Sequence, residues 1–348
     1  MTPEDFDGLD DIEFVPERPG EKARAEREAA SEQEPEAPEA QSDREPDPPP
    51  PSDPEADFHV EPGVPRARRP KKKRKPRRTL ASILRSETTR RVLWAIPWVV
   101  FAIVIIAVGG ALFAAAMVGL GYIGLREYFA MTERSRPLAT PAFVVVAGMI
   151  VAAYLGSSFQ VLLALACIFP AMFLFAARRD DQRDITYSMA ITAMGVAWIG
   201  LGFSHAVLLD GLPRHGGALV VDVLVATVLS DTAAYGAGRL FGSRKLAPRI
   251  SPNKTVEGLA GGIVGGIMGF WVAGLYQDWL TGTQALEMGL AVALLAPIGD
   301  LFASMIKRDC EIKDTGKLFG PHGGLIDRLD AILFTIVASY YLAVALLY

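Results

Sequence analysis

The sequence predicts an all-α integral membrane protein: about nine transmembrane helices behind a disordered, cytoplasmic N-terminal tail. Three observations predict it. Composition divides along the 348-residue chain, apolar runs of near-membrane length recur after residue 91, and basic residues gather in every second loop between those runs. The formal net charge of −4 averages unlike parts and points to no partner.

Residues 1–91 form the first part. They are rich in Pro, Glu, Asp and Arg and poor in large apolar side chains, so they cannot bury enough surface to offset chain entropy. An acidic stretch up to about Glu61 precedes the basic run RARRPKKKRKPRR at Arg66–Arg78. Beside a multi-span domain, that run reads as a topology determinant near anionic headgroups, not as a nucleic-acid site. No signal peptide is expected, because the first apolar run begins some ninety residues in. Two cysteines, Cys167 and Cys310, make neither a disulfide framework nor a thiolate metal site.

The second part, 92–348, contains apolar segments at about 93–108, 110–131, 141–156, 159–177, 185–206, 217–238, 257–276, 285–306 and 328–347. Most approach the roughly 20 residues that cross a hydrocarbon core of about 30 Å. The first two meet at Gly109–Gly110, as a tight hairpin or one bent helix. Nine crossings from a cytoplasmic tail put loops 132–140, 178–184, 239–256 and 307–327 inside. Those loops hold most of the basic residues, among them Arg134, Arg178, Arg244, Lys254, Lys307 and Lys313, whereas the opposite loops hold only Arg214. Such asymmetry obeys the positive-inside rule, and it puts the C-terminus outside. The expected location is the cell membrane.

Carboxylates inside these segments are costly and mark functional sites by default. Asp231 and Asp300 each lie about two turns from the cytoplasmic ends of their segments, roughly 10 Å deep at 1.5 Å per residue. Asp327 and Asp330, three apart on one helix face, open the last segment. Asp222 is out of phase and nearer the outer end, and stays outside the expected site. Ser304, Lys307 and Arg308 follow Asp300 at i+4, i+7 and i+8, one continuous stripe. Buried ion pairs joining helices would account for any single carboxylate, but not for the glycines and prolines around all of them.

Two inner loops add phosphate-binding chemistry. SPNKTVEGLAGG (Ser251–Gly262) and GPHGGLIDRLD (Gly320–Asp330) each lead into a helix from the cytosol, and helix starts offer N–H groups to anions. Lys254, Lys313, His322 and Arg328, with the Gly323–Gly324 pair, join the stripe as candidate contacts to phosphate. Carboxylates beside phosphate-binding groups suggest a divalent metal, Mg²⁺, with a second ion left open. No His/Cys cluster suits zinc, and no Walker, Rossmann or hydrolase-elbow motif is present. The residues alone point to phosphoryl or nucleotidyl transfer at the cytoplasmic face.

The 27-residue stretch from Ser304 to Asp330, S-M-I-K-R-x4-K-D-x-G-x2-F-G-x-H-G-G-L-x-D-R-L-D, resembles the C-terminal motif of phosphatidate cytidylyltransferases, also called CDP-diacylglycerol synthases. The likeness extends to Ser230–Gly262 and to the Gly299–Leu301 GDL, and covers roughly residues 90–348. It implies a helical membrane enzyme that condenses CTP with phosphatidic acid, needs Mg²⁺, and releases CDP-diacylglycerol and pyrophosphate. Carried over by position, Asp300 and Asp327 would be the strongest metal ligands, with Asp231 and Asp330 in support. Asn253, Lys254, Lys307, Arg308 and Lys313 would hold nucleotide or lipid phosphate. The first four segments would be scaffold and lipid-facing surface, apart from Arg126–Glu127. The expected partners are CTP, phosphatidic acid and membrane lipids, with a homodimer left open and no nucleic acid. The alternatives are a CTP-dependent lipid kinase of the polyprenol or phytol type, which would release CDP, and an ion-coupled transporter, whose carboxylates would spread through the membrane depth.

Overall fold

Each expected apolar segment coincides with helix in the computed structural model, which describes residues 87–348 apart from 276, 317 and 319–322. The predicted tail through residue 86, its basic run and His322 lie outside the described residues. Helix α1 (Glu87–Val108) and α2 (Gly110–Met131) part at Gly109 and Gly110, both at positive φ, a conformation open to glycine because it lacks Cβ. After α3 (Ala139–Leu155), the fourth segment is two short helices, α4 (Ser158–Ala166) and α5 (Ile168–Ala176). Pro170 sits in the first turn of α5, where its missing N–H is tolerated, and cannot bond back to Ala166. The fifth runs as α6 (Ile185–Gly195), a π-helical turn (Val196–Gly200) and α7 (Leu201–Asp210).

Helix α8 (Gly216–Phe241), α9 (Val256–Gly274) and α10 (Gly282–Asp309) follow, and a short α11 (Ile326–Leu329) precedes α12 (Ile332–Leu347). Among the described residues, five helical stretches are long and apolar enough to cross a membrane: 158–176, 185–210, 216–241, 256–274 and 282–309. The protein is a helical membrane protein. One correction concerns SPNKT, expected as loop: Ser251–Thr255 is strand β2, paired antiparallel with β1 (Lys245–Ala247). Pro252 is tolerated because a two-stranded ribbon consists of edges, where a missing donor breaks no inner ladder.

Bonds between loops and helix ends gather in two groups. At one end Arg136 pairs with Asp181 at 2.7 Å, Arg179 donates to the Pro137 carbonyl, and Arg308 donates to the Ile250 carbonyl. At the other, Gly110 N donates to Asp210 Oδ2 at 3.1 Å, Tyr348 bonds the Pro213 carbonyl, and Gln277 bonds Asp222. His215 stacks on Trp279 at this second end.

Helix α8 packs most extensively on α9, through small residues. A Cβ at Gly261 would lie 2.3 Å from Ala237 Cβ, and one at Gly265 would lie 2.5 Å from Ala233 Cβ. Such close approach is the usual way helices associate where lipid gives no hydrophobic drive. Ser230 Oγ donates to the Gly262 carbonyl at 3.0 Å across this contact, which fixes the height of neighbouring Asp231. An aromatic column ties the first half to the second: Tyr128 of α2 lies edge-on to Trp198 in the π turn, and Trp198 lies edge-on to Phe302 of α10 at 4.9 Å. Tyr128 is fully buried and donates to the Ile191 carbonyl, so the column is anchored at both ends.

Candidate active site

Asp300 projects from α10 one turn after Pro297, whose missing N–H interrupts the helix ladder. Ala293, Pro297 and Asp300 line one face of a pocket of about 590 Å³. The opposite walls are Asp231 on α8 and Asn253, Lys254 and Thr255 on β2. Lys254 Nζ lies 2.6 Å from Asp300 Oδ2, and Ser304 donates to Oδ1 at 3.2 Å. Both ionic side chains remain about a quarter exposed or more, so the pair is reachable by a polar ligand. The hairpin that presents Lys254 is held by Glu257, whose carboxylate accepts from the Ser243 hydroxyl and from Ser243 and Arg244 N–H groups.

A second cluster lies two turns along α10, roughly 10 Å away by helical rise. Lys307 Nζ donates to Asp327 Oδ1 at 2.8 Å, and both side chains are nearly buried. Asp327 Oδ2 accepts from Thr315 N at 2.8 Å, Gly324 N at 2.9 Å and the Thr315 hydroxyl at 3.1 Å. Asp327 lies before the α12 span. Burial pushes its carboxyl up, but Lys307 and the Gly324 and Thr315 N–H groups outweigh burial and hold it below the ordinary carboxylate value. Gly323 adopts φ +86°, and a Cβ there would sit 2.6 Å from Asp327 Oδ2. Only glycine fits that turn around the carboxylate.

Asp330 links the clusters. A Cβ at Gly299 would lie 2.5 Å from the Asp330 carbonyl, so α10 and the α11–α12 junction touch backbone to backbone beside Asp300. Asp231, Asp300 and Asp330 are close enough to feel one another's charge. Three carboxylates from three helices thus face one region, with one ammonium, Lys254, paired to Asp300 and another, Lys307, acting on Asp330.

Among the described residues no group of three acidic, His or Cys side chains is arranged as a ready metal cage. The donor set nonetheless suits Mg²⁺, which prefers oxygen ligands and is usually held by one or two carboxylates plus substrate phosphates. Asp300, Asp231 and Asp330 supply such oxygens. Asp327 differs in how firmly it is held: Asp300 takes Lys254 and Ser304 in a part-exposed position, whereas the nearly buried Asp327 takes Lys307, two backbone N–H groups and the Thr315 hydroxyl.

The expected residues separate accordingly. Asp231, Asn253, Lys254, Asp300 and Ser304 surround the pocket, and Lys307, Gly323, Gly324 and Asp327 form the second cluster. Arg308 turns away, donating to the Ile250 and Ile312 carbonyls, and Lys313 is exposed in the loop. Arg328 lines an apolar groove of about 1390 Å³ that also borders α1, α8 and α12. The helix starts, expected to offer free N–H groups to phosphate, are largely occupied. Gly258 N is capped by Thr255, Gly324 N by Asp327, and Leu325 N and Ile326 N by Glu127. Pattern reading set Glu127 apart without giving it a role, and passed over Thr315. The former carried a signal, a charged pair inside an apolar segment; Thr315 carried none.

Comparison with known proteins gives the chain's family. Residues 89–346 match the model of the cytidylyltransferase family. A phosphatidate cytidylyltransferase of Synechocystis (strain PCC 6803) is 32% identical over 300 residues, covering 74% of this chain and 97% of the relative. One from Mycobacterium leprae is 39% identical over 43% of this chain and 47% of the relative. An uncharacterised protein of Escherichia coli (strain K12) is 41% identical over 43% and 53% respectively, so these last two matches span about half of each relative's length. With its family model matching nearly the whole helical region, the chain belongs to the cytidylyltransferase family, whose members are nucleotidyltransferases.

Proposed function

We propose that the protein transfers CMP from CTP to phosphatidic acid, giving CDP-diacylglycerol and pyrophosphate for phospholipid synthesis. The observation that carries the reading is the Lys254–Asp300 pair facing Asp231 in a pocket two turns of α10 away from Lys307 and Asp327. The arrangement sets two cations and several carboxylates around a space open to a nucleotide. Residues 300–307 would bridge triphosphate and lipid phosphate. Relatives bearing the phosphatidate cytidylyltransferase name support the choice of substrates.

In this reading the phosphate of phosphatidate attacks the α-phosphorus of CTP and pyrophosphate leaves. The nucleophile is already anionic, so no strong general base is required, and positioning and electrostatics carry the rate. Lys254 swings from Asp300 to the incoming triphosphate, and Asn253 and Ser304 orient its oxygens. Lys307, fixed by Asp327, faces the lipid phosphate, with Arg308, Lys313, Gly323 and Gly324 toward the cytosolic rim. Mg²⁺ would be held by Asp300 with Asp231 and Asp330, and would supply charge neutralisation on the triphosphate. Asp327 would join that set only by releasing Lys307. The groove beside Arg328 gives the acyl chains an apolar path to the site.

The reading includes nine crossings, with the tail cytoplasmic and the C-terminus outside. Supporting it, loops of the same expected side bond one another: Arg136 with Asp181 and Arg308 with Ile250 on one, Gly110 with Asp210 and Tyr348 with Pro213 on the other. The direct test incubates purified protein with labelled CTP, Mg²⁺ and phosphatidic acid. Lipid-linked CMP plus pyrophosphate is expected; CDP plus a phosphorylated alcohol would instead make it a lipid kinase.

A further inference from the structure

Glu127 belongs to α2, where the sequence set Arg126–Glu127 apart from the surrounding scaffold without giving the pair a role, and its carboxylate bonds the C-terminal motif. Oε1 accepts from Leu325 N at 2.9 Å and Oε2 from Ile326 N at 3.0 Å, across 198 and 199 residues of sequence. The Thr315 hydroxyl lies 3.1 Å from Glu127 Oε2 and 3.1 Å from Asp327 Oδ2. A hydroxyl has one proton, so it bonds one carboxylate as donor at a time and couples the two. The backbone is also moulded to this side chain. A Cβ at Gly316 would sit 2.6 Å from Glu127 Oε1, and one at Gly324 would sit 2.5 Å from Oε2.

Residues 315–316 and 324–326 are the two ends of the loop that carries the His-Gly-Gly motif. One side chain therefore clamps both ends, immediately beside the Lys307–Asp327 pair. A carboxylate accepting two backbone N–H bonds is a stiff support, since charge-assisted hydrogen bonds are roughly twice as strong as neutral ones. A brace for packing alone would not need charge here. Tyr128 and Phe129, the next residues on α2, already bury that helix against its neighbours.

We propose that Glu127 is a positioning residue for the transfer reaction: it sets the loop so that Asp327 holds the Lys307 ammonium toward the lipid phosphate. This rests on the function proposed above. Residues that orient a reacting group through another side chain typically contribute 10–100-fold.

The test uses the full chain in lipid nanodiscs, with Glu127→Gln, Glu127→Asp and Thr315→Val. Glu127→Gln keeps the shape but loses the charge and leaves one N–H without an acceptor. Its kcat for CDP-diacylglycerol should fall about 10–100-fold with KM for CTP near wild type. Amide exchange in peptides covering 313–329 should quicken, while peptides covering α9 stay unchanged. Glu127→Asp, which keeps the charge, should recover part of kcat. Thr315→Val should lower kcat less, and add nothing on top of Glu127→Gln. Wild-type kcat per folded molecule in Glu127→Gln, or unchanged exchange at 313–329, would overturn the proposal. If Glu127→Gln does not fold, unchanged kcat in both Glu127→Asp and Thr315→Val overturns it. Absence of lipid-linked CMP from the wild-type protein would remove the proposed function instead, and the exchange measurement would still decide whether the clamp exists.

Discussion

Asp300 and Lys254 form the contact on which the proposed chemistry turns, and their burial decides what substitution should do. The pair is part-exposed, so its worth to stability is modest, whereas its worth to a bound triphosphate is large. Lys254→Met should therefore leave the fold intact and lower kcat by about 10²–10³-fold, the usual loss on removing one preorganised donor to a developing charge. Asp300→Asn should abolish turnover without loss of membrane insertion. Steady-state kinetics with CTP and phosphatidic acid, beside size-exclusion profiles, read both. Near-normal turnover in purified Asp300→Asn would remove Asp300 from the site. Asp327 carries a pH prediction of its own. Its carboxyl is held below the ordinary value of 3.8, so its contribution to loop order is complete above that value and is lost as pH falls through the lower, folded-state one. Amide exchange in 313–329 should therefore stay slow on acidification to about pH 4. Loosening of the wild-type loop already between pH 6 and 5 would contradict it.

At the scale of elements, α8 and α9 set the distance between Asp231 and Lys254, and glycine sets the distance between α8 and α9. A side chain at Gly265 would drive into Ala233 Cβ at 2.5 Å and the Leu229 carbonyl at 2.8 Å. Both neighbours are rigid, so the helices must separate. Gly265→Val should cost about 1–3 kcal/mol, as overpacking does, and lower activity by misplacing Asp231. Thermal unfolding in detergent checks the first part and turnover the second; an unchanged melting temperature would mean the interface yields easily. The glycines also show where pattern reading reached its limit. Apolar length and charge spacing pointed to the stretches that are helical and to Asp231, Asp300 and Asp330 as neighbours, because those signals are local. Which glycines serve packing and which serve a turn depends on what lies opposite. Gly261 and Gly265 face alanines of α8, whereas Gly323 wraps a carboxylate at positive φ. The hairpin at Lys245–Thr255 was hidden for a similar reason, since its strands are three and five residues long and one contains proline. Glu127 was hidden because its partners lie about two hundred residues away.

For the whole molecule, sidedness is the property that most constrains the proposed reaction, in which CTP is water-soluble and the acceptor is a lipid. Helix ends fall into two groups that bond within themselves: Arg136 with Asp181 and Arg308 with Ile250 at one end, Gly110 with Asp210 and Tyr348 with Pro213 at the other. The first group holds nearly all loop cations and both charged clusters of the site, as expected of a cytoplasmic face. This grouping makes the orientation testable with single thiols. Cys167 and Cys310 are first replaced by serine, giving a background without thiols. Gln182→Cys then marks the first group, and Asp278→Cys marks the second. A membrane-impermeant maleimide should label Asp278→Cys in intact cells, and Gln182→Cys only after the membrane is opened. The reverse pattern would put the site outside, away from CTP, and would overturn the topology and the proposed reaction together. Labelling of both positions in intact cells would mean that the two groups of loops do not lie on opposite sides of the bilayer.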